Sequence, residues 1–249
     1  MTTRFDITTA AYTRFTFERD DRILTAAITS DHPVNGVDAA MHEELGRVFT
    51  DLQRDSNSDI IILTGKGRAF CAGGDFDWFD EQISDPSKFR DIAWEAKRIV
   101  TSILDMEKPI ICRLNGAAAG LGATIALLCD MIVSDEKALI GDPHVKVGLV
   151  AGDGGAVIWP QLVGFAKAKE LLMTGDLLTA RGQGSRPDQL CRSGRSAGCK
   201  SGRARRQAAG QSEMGRALDQ NGYKYTAEGA GRSDDGCQCR LGKRLQLFG

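Results

Sequence analysis

Residues 67–79 read GRAFCAGGDFDWF. An apolar approach runs into Cys71-Ala72-Gly73-Gly74, and acids then alternate with aromatics from Asp75 onward. Two consecutive glycines leave the backbone bare at a turn, so something can come close to the main chain there. A second stretch of this kind is NGAAAGLG at 115–122. Each follows a short apolar run, DIIILTG (59–65) in the first case and KPIICRL (108–114) in the second. Such runs, ended by turn residues, predict buried strands. The second loop leads into a small and then apolar stretch that predicts a tightly packed helix. Its N-terminus would aim free N–H groups outward, where the dipole favours negative charge. Two backbone donors converging from such loops make a socket for a carbonyl oxygen that becomes negative. Tight packing alone would explain either loop taken singly.

The flanking sequence fits an α/β fold. FTFERDDRILTAAITSD (15–31) alternates and then runs apolar, as a hairpin does. In GVDAAMHEELGRVFTDLQRD (36–55), Met41, Leu45, Val48, Phe49 and Leu52 share one helical face. DPSKFRDIAWEAKRIVTSILDME (85–107) predicts a second amphipathic helix, with Asp85 as cap and Pro86 in the first turn. KALIGDP and HVKVGLVAGDGG (137–155) predict short strand and loop pieces. AVIWPQLVGFAKAKELLMTG (156–175) predicts a helix pair broken at Pro160. Strands and helices alternate, which sets the class.

Composition narrows the function. The chain has 249 residues, 42% of them apolar, enough for a sizeable core. A net charge of −1 leaves no basic footprint for nucleic acid. The start, MTTRFDITTAAYTRF, has no apolar signal-peptide core, and the most apolar stretch (116–129) is too short to span a bilayer. Seven irregularly spaced cysteines then read as reduced cytoplasmic thiols.

Together the pieces LTGKGRAFCAGGDF, KPIICRLNGAAAGLGATIALLCDMIVSDEKALIGDP and VGLVAGDGGAVIWPQLVGFAKAKELLMTGDLLTA resemble the crotonase family, the enoyl-CoA hydratases and isomerases. The resemblance covers about residues 12–180. It implies a spiral of ββα units, a trimer or hexamer, an acyl-CoA substrate, and no metal or redox cofactor beyond the coenzyme A of that substrate. It implies two main-chain oxyanion donors, placed by position at Ala72 and Leu121. Gly73, Gly74, Gly120 and Gly122 shape the two loops, and Asp75 and Thr124 join the substrate-binding set. Lys66 and Arg68 stand where they could meet the CoA phosphates.

The two glutamates that family hydratases use to hold and deprotonate water are missing. Their places are taken by Thr124 and by His144, which follows the Pro of GDP. What stands instead is His144 with Asp153, nine residues on. Histidine suits general acid–base work near neutral pH, and a nearby carboxylate can orient its ring. Equally, His144 could be a satisfied surface residue and Asp153 the cap of the next helix. The pair, its spacing and the following Gly-Asp-Gly resemble 6-oxocamphor hydrolase, a crotonase-fold enzyme that cleaves a cyclic β-diketone without CoA. Three readings follow: an acyl-CoA hydratase or lyase working through an enolate, a β-diketone hydrolase, and an inactive acyl-CoA binder. Cys71, Trp78 and Phe79 read as packing residues, Asp75, Asp77 and Asp80 read from the residues alone as a solvated acidic turn, and His32 and His42 as surface residues.

From Arg181 onward the pattern collapses. These 69 residues hold no Ile, Val or Trp, but 13 Gly and 11 Arg. The organisation expected is a core domain at 1–180 and an aberrant tail at 181–249. Back-translation gives a reason. RGQGSRPDQLCRSG (181–194) admits codons that, read one base later, give EAKALGLINYAVP, and RALDQNGYKYTAE (216–228) shifted in the same way gives ARWTKTATNIPL. Both resemble the family's C-terminal segments, which cover the active site and build the trimer. We therefore expect a one-base change of frame near Ala180. Sequencing the coding DNA from about codon 170 tests this: the shifted frame should read EAKALGLINYAVP, and early stops or unrelated residues there would refute it.

Overall fold

The computed structural model describes residues 5–84, 89–179 and 192–193. The expected tail, and the Asp85–Pro86 cap, therefore lie outside the described residues, apart from Arg192 and Ser193.

Two sheets carry the fold. The larger has the order β1-β2-β3-β5-β7-β10 and the smaller β4-β6-β8-β9. β1 (Phe15–Asp20) and β2 (Ile23–Ile28) form the expected antiparallel hairpin. Its turn places Asp21 at φ 51°, a left-handed conformation that Asp tolerates better than most residues. β3 (Ile60–Gly65), β5 (Ile110–Leu114) and β7 (Met131–Ser134) then run parallel, with Ile61 opposite Ile110 and Cys112 opposite Ile132. β10 (Arg192–Ser193) adds to β7 in parallel. All six residues of β3 are buried, as a parallel strand covered on both faces requires.

Each of β3, β5 and β7 is followed at once by a strand of the smaller sheet: β4 (Ala69–Cys71), β6 (Ala117–Ala119) and β8 (Leu139–Gly141). Helices α2 (Phe76–Ser84) and α3 (Phe89–Leu104) follow β4, and α4 (Leu121–Leu128) follows β6. Repetition of strand, strand, helix is the ββα spiral the sequence led us to expect. β4, β6 and β8 are parallel neighbours, so their C-terminal ends lie side by side. β9 (Leu177–Thr179) closes this sheet antiparallel to β8.

Helix α1 (Ala39–Arg54) buries the predicted face: Met41, Leu45, Val48, Phe49 and Leu52 are fully inaccessible. Asp38 caps it by accepting from the Met41 N–H at 2.8 Å. The structure corrects the sequence reading in three places. The 144–147 segment is a 3₁₀ turn, not a strand. Residues 76–80 belong to α2 rather than to a solvated turn. The helix pair breaks at Gly164, not at Pro160, which sits inside α5 (Gly155–Val163) before α6 (Phe165–Thr174). Gly164 has φ 81°, which ends α5, and its N–H bonds to the Pro160 carbonyl at 3.0 Å.

Packing between α4 and β4 leaves no room for side chains. A Cβ at Gly122 would fall on the Cys71 carbonyl oxygen. Gly122→Ala should therefore destabilise the protein by about 1–3 kcal/mol in urea unfolding, through overpacking against backbone. Gly46→Ala, mid-α1 with only the Glu95 stem 3.8 Å away, should stabilise by roughly 0.5–1 kcal/mol from helix propensity alone. Equal effects at the two positions would contradict this packing.

Candidate active site

The side-by-side strand ends deliver three segments to one place. The β4 end supplies Ala72-Gly73-Gly74-Asp75, the β6 end Gly120 and the start of α4, and the β8 end Asp142-Pro143-His144. Gly73, at φ 90°, packs so closely that a Cβ would lie 2.9 Å from the Ala119 carbonyl oxygen. The two glycine loops thus touch, as the socket reading requires.

The donor in the first loop is not the one expected. The Ala72 N–H is already donated to the Val34 carbonyl at 3.1 Å. The segment after β2 runs alongside as a parallel bridge between Val37 and Gly74. Val37 donates to the Gly73 carbonyl and accepts from the Asp75 N–H, both at 2.9 Å. In such a bridge the groups of Gly74 itself point the other way, and no acceptor for its N–H is found among the described residues. The loop donor left available is therefore Gly74, not Ala72. Nothing in the sequence of one loop reveals which of its amides a distant segment consumes. Leu121 is the first residue of α4, so its N–H has no acceptor within the helix. The Asp75 carboxylate accepts from the Asp77 N–H at 2.9 Å. It also lines a cleft of about 280 Å³ with Asp31, His32 and Asp38. Lys66 and Arg68 are exposed on the β3–β4 turn.

His144 and Asp153 do meet. His144 Nε2 lies 3.4 Å from Asp153 Oδ2. The other carboxylate oxygen accepts from Thr124 Oγ1 and from the Gly155 N–H, each at 3.4 Å. Asp153 therefore faces the histidine and also serves the start of α5. Thr124, in the place of a family glutamate, is fully buried and belongs to this cluster. The ring of His144 lies against Gly120, where a Cβ would be 3.0 Å from Cε1. Gly120 has φ 53°, so the site needs a glycine there for both space and conformation.

Asp142 is the residue sequence reasoning missed. Its Oδ1 lies 2.5 Å from His144 Nδ1, and the residue is only 2% exposed. The signal was present in the motif, since GDPH sets a carboxylate two residues before the histidine, within reach across one turn. Asp142, His144 and Asp153 bring three donor atoms within 4.8 Å of one another. The 2.5 Å separation is that of a short hydrogen bond.

Electrostatics follow from this crowding. Burial alone would lower the His144 pKa, but the hydrogen bond to Asp142 and the charges of Asp153 and Asp142 outweigh it and raise it. Burial raises the Asp153 pKa, helped by Asp142 and opposed by His144. Cys71 is fully buried, and desolvation first, then the Asp153 charge, pushes its thiol up to about 11; it is a packing residue and not a nucleophile. Trp78 packs in the core. His42 is not on the surface: it is 3% exposed and lies 2.6 Å from Glu95, tying α1 to α3.

Residues 20–183 match the model of the enoyl-CoA hydratase/isomerase family. The chain belongs to that family. Among curated relatives, it is 31% identical over 162 residues to 1,2-epoxyphenylacetyl-CoA isomerase of Escherichia coli, covering 64% of this chain and 61% of that one. It is 30% identical over 171 residues to crotonyl-CoA hydratase of Syntrophomonas wolfei, covering 68% and 65%. The chain spans about 60% of the length of the curated relatives it matches. Among solved structures, an enoyl-CoA hydratase/isomerase from Mycobacterium paratuberculosis superposes with a TM-score of 0.68 at 30% identity, over 72% of each chain. No helix among the described residues is long and apolar enough to cross a membrane.

The raised pKa values have a consequence for stability. A proton held more tightly at His144 in the folded state stabilises it fully below the ordinary imidazole value. That stabilisation is lost as pH rises through the raised value. Asp153, also raised, acts in the same direction from its own lower starting point. The melting temperature should fall as pH rises from the ordinary imidazole value through the raised one, and His144→Gln should flatten that slope. Parallel slopes for both proteins would contradict the assigned environment.

Proposed function

We propose that this chain is built to form and stabilise an enolate of an acyl-CoA thioester, as an enoyl-CoA hydratase or lyase does. The observation that carries this is one juxtaposition: the His144 ring lies against Gly120, next to the first free amide of α4. Base and anion site are therefore the same place. The thioester oxygen would accept from the Gly74 and Leu121 N–H groups. Negative charge gathering there in the transition state meets fixed donors and a helix N-terminus, at no reorganisation cost. His144 would take the α-proton or give it back, with Asp153 stabilising the imidazolium. A trimer or hexamer and a cytoplasmic setting complete this reading.

One observation favours the second reading, a β-diketone hydrolase without CoA. His144 and Asp153 meet at 3.4 Å in a site that has Thr124 and His144 at the positions where the resemblance expects two water-holding glutamates. There His144 would activate water, and the same two amides would hold the enolate that leaves when the carbon–carbon bond breaks. An inactive acyl-CoA binder is the third outcome.

Assays should use this chain and the chain with its frame restored near Ala180, first with a short enoyl-CoA and then with a cyclic β-diketone. The frame-restored chain should hydrate the enoyl-CoA. His144→Gln should lower kcat by about 10²–10⁴. Leu121→Pro should lower it by about 10²–10³ through loss of the donor, since proline is tolerated at the first helical position, while the lost packing of this buried side chain is read separately by urea unfolding. Cleavage of the diketone alone would establish the second reading. Thioester binding without turnover of either substrate would establish the third, and full activity of His144→Gln on either substrate would refute the role given to His144.

A further inference from the structure

The sequence points to His144 and Asp153, but the geometry adds a second acid on the far side of the ring. Asp142 stands at the end of β8, and this strand end is fixed to the second glycine loop: the Gly120 N–H donates to the Gly141 carbonyl at 3.1 Å. Asp142 Oδ1 takes both the Nδ1 contact of His144, at 2.5 Å, and the His144 backbone N–H, at 3.4 Å. Its Oδ2 is buried and has no hydrogen-bond partner among the described residues. That oxygen presses on Gly155, where a Cβ would overlap it. Gly155 thus donates its N–H to one acid of the pair and makes room for the other.

An unpartnered oxygen this deep is costly, because a buried carboxylate gives up its hydration for whatever bonds it makes. Shape alone would be served as well by an apolar residue. The carboxylate does one thing that such a residue cannot: it accepts a proton-bearing Nδ1. We propose that Asp142 is a positioning residue that holds the Nδ1 proton of His144 and fixes the ring so that Nε2 faces Asp153 Oδ2 across 3.4 Å, an ion-pair distance at which neither acid's Oδ2 has a hydrogen-bond partner among the described residues. This rests on the reading of His144 as the acid–base group.

Proton bookkeeping then has two levels. With one proton, on Nδ1, the array carries two negative charges and Nε2 offers a lone pair. A proton taken from substrate goes to Nε2 or to Asp153 Oδ2, leaving one negative charge, and returns to product by the same route. Among the described residues, Asp142 and Asp153 are the charged groups that act on the ring. From α4 come Gly120 and Thr124, and from β4 the neutral Cys71 thiol near Asp153. Lys146, on the same 3₁₀ turn, lies against Gly175 at the end of α6.

The test is the tautomer. The chain has three histidines, so long-range ¹H–¹⁵N correlations of the ¹⁵N-labelled full chain resolve each ring, with His144 assigned by its loss in His144→Gln. Unmutated protein should show neutral His144 protonated on Nδ1, with Nε2 titrating. Asp142→Asn should move the midpoint of that titration down by about one pH unit and populate the Nε2–H form. An Nε2–H tautomer in the unmutated protein would overturn the proposal, and so would an Asp142→Asn spectrum with unchanged tautomer and midpoint. If Asp142→Asn does not fold, the unmutated spectrum decides alone. The functional reading fails separately: turnover that survives His144→Gln removes the acid–base role while the tautomer still reports on Asp142.

Discussion

The distance between two backbones governs this site. Gly122 lies on the Cys71 carbonyl, and Gly73 on the Ala119 carbonyl. These contacts let β4 and β6 end side by side with their loops touching, and they fix where the Gly74 and Leu121 amides stand. A side chain at either glycine would force the loops apart. Electrostatic stabilisation of a developing anion falls steeply once donors leave hydrogen-bond range, so an error of about 1 Å in their placing is expensive. The parallel pairing of β4, β6 and β8 brings the third segment, with Asp142 and His144, to the same edge. Tight strand packing and chemistry are thus one constraint.

Protons at this edge are set by crowding rather than by any single partner. Two carboxylates flank one imidazole in a place with little water. Each acid favours the charged ring, while burial opposes charge on the ring and on Asp153. The raised pKa values of His144 and Asp153 both express this competition. At the two positions where the resemblance expects glutamates, Thr124 donates to Asp153 and His144 faces both acids.

Much of the fold was legible because its signals are local. The apolar face of α1 and the six-residue run of β3 each fix their own structure. The glycine loops were legible too, since two glycines after a buried strand mean close approach whatever lies opposite. What was not legible depends on segments distant in sequence. Ala72 looked like a donor until the Val34 carbonyl, brought in by the loop after β2, was seen to hold its N–H. His42 lies beside the apolar face of α1, and only the approach of Glu95 from α3 shows it buried and paired. Pro160 read as a break because helix interiors disfavour proline, yet Gly164 with its positive φ ends α5. Asp142 was hidden differently: in GDPH it reads as part of a turn, and only coordinates show that the turn folds its carboxylate back onto the ring.

The most direct test of the central claim asks whether an enolate forms at all, independent of the final product. A saturated acyl-CoA such as butyryl-CoA, incubated in deuterium oxide with the frame-restored chain, would report it by mass spectrometry. The account predicts deuterium at the α-carbon, lost when His144 is replaced by Gln. Bound thioester that never exchanges its α-hydrogens, or exchange that persists without His144, would contradict the claim that these two loops and this histidine form one catalytic site.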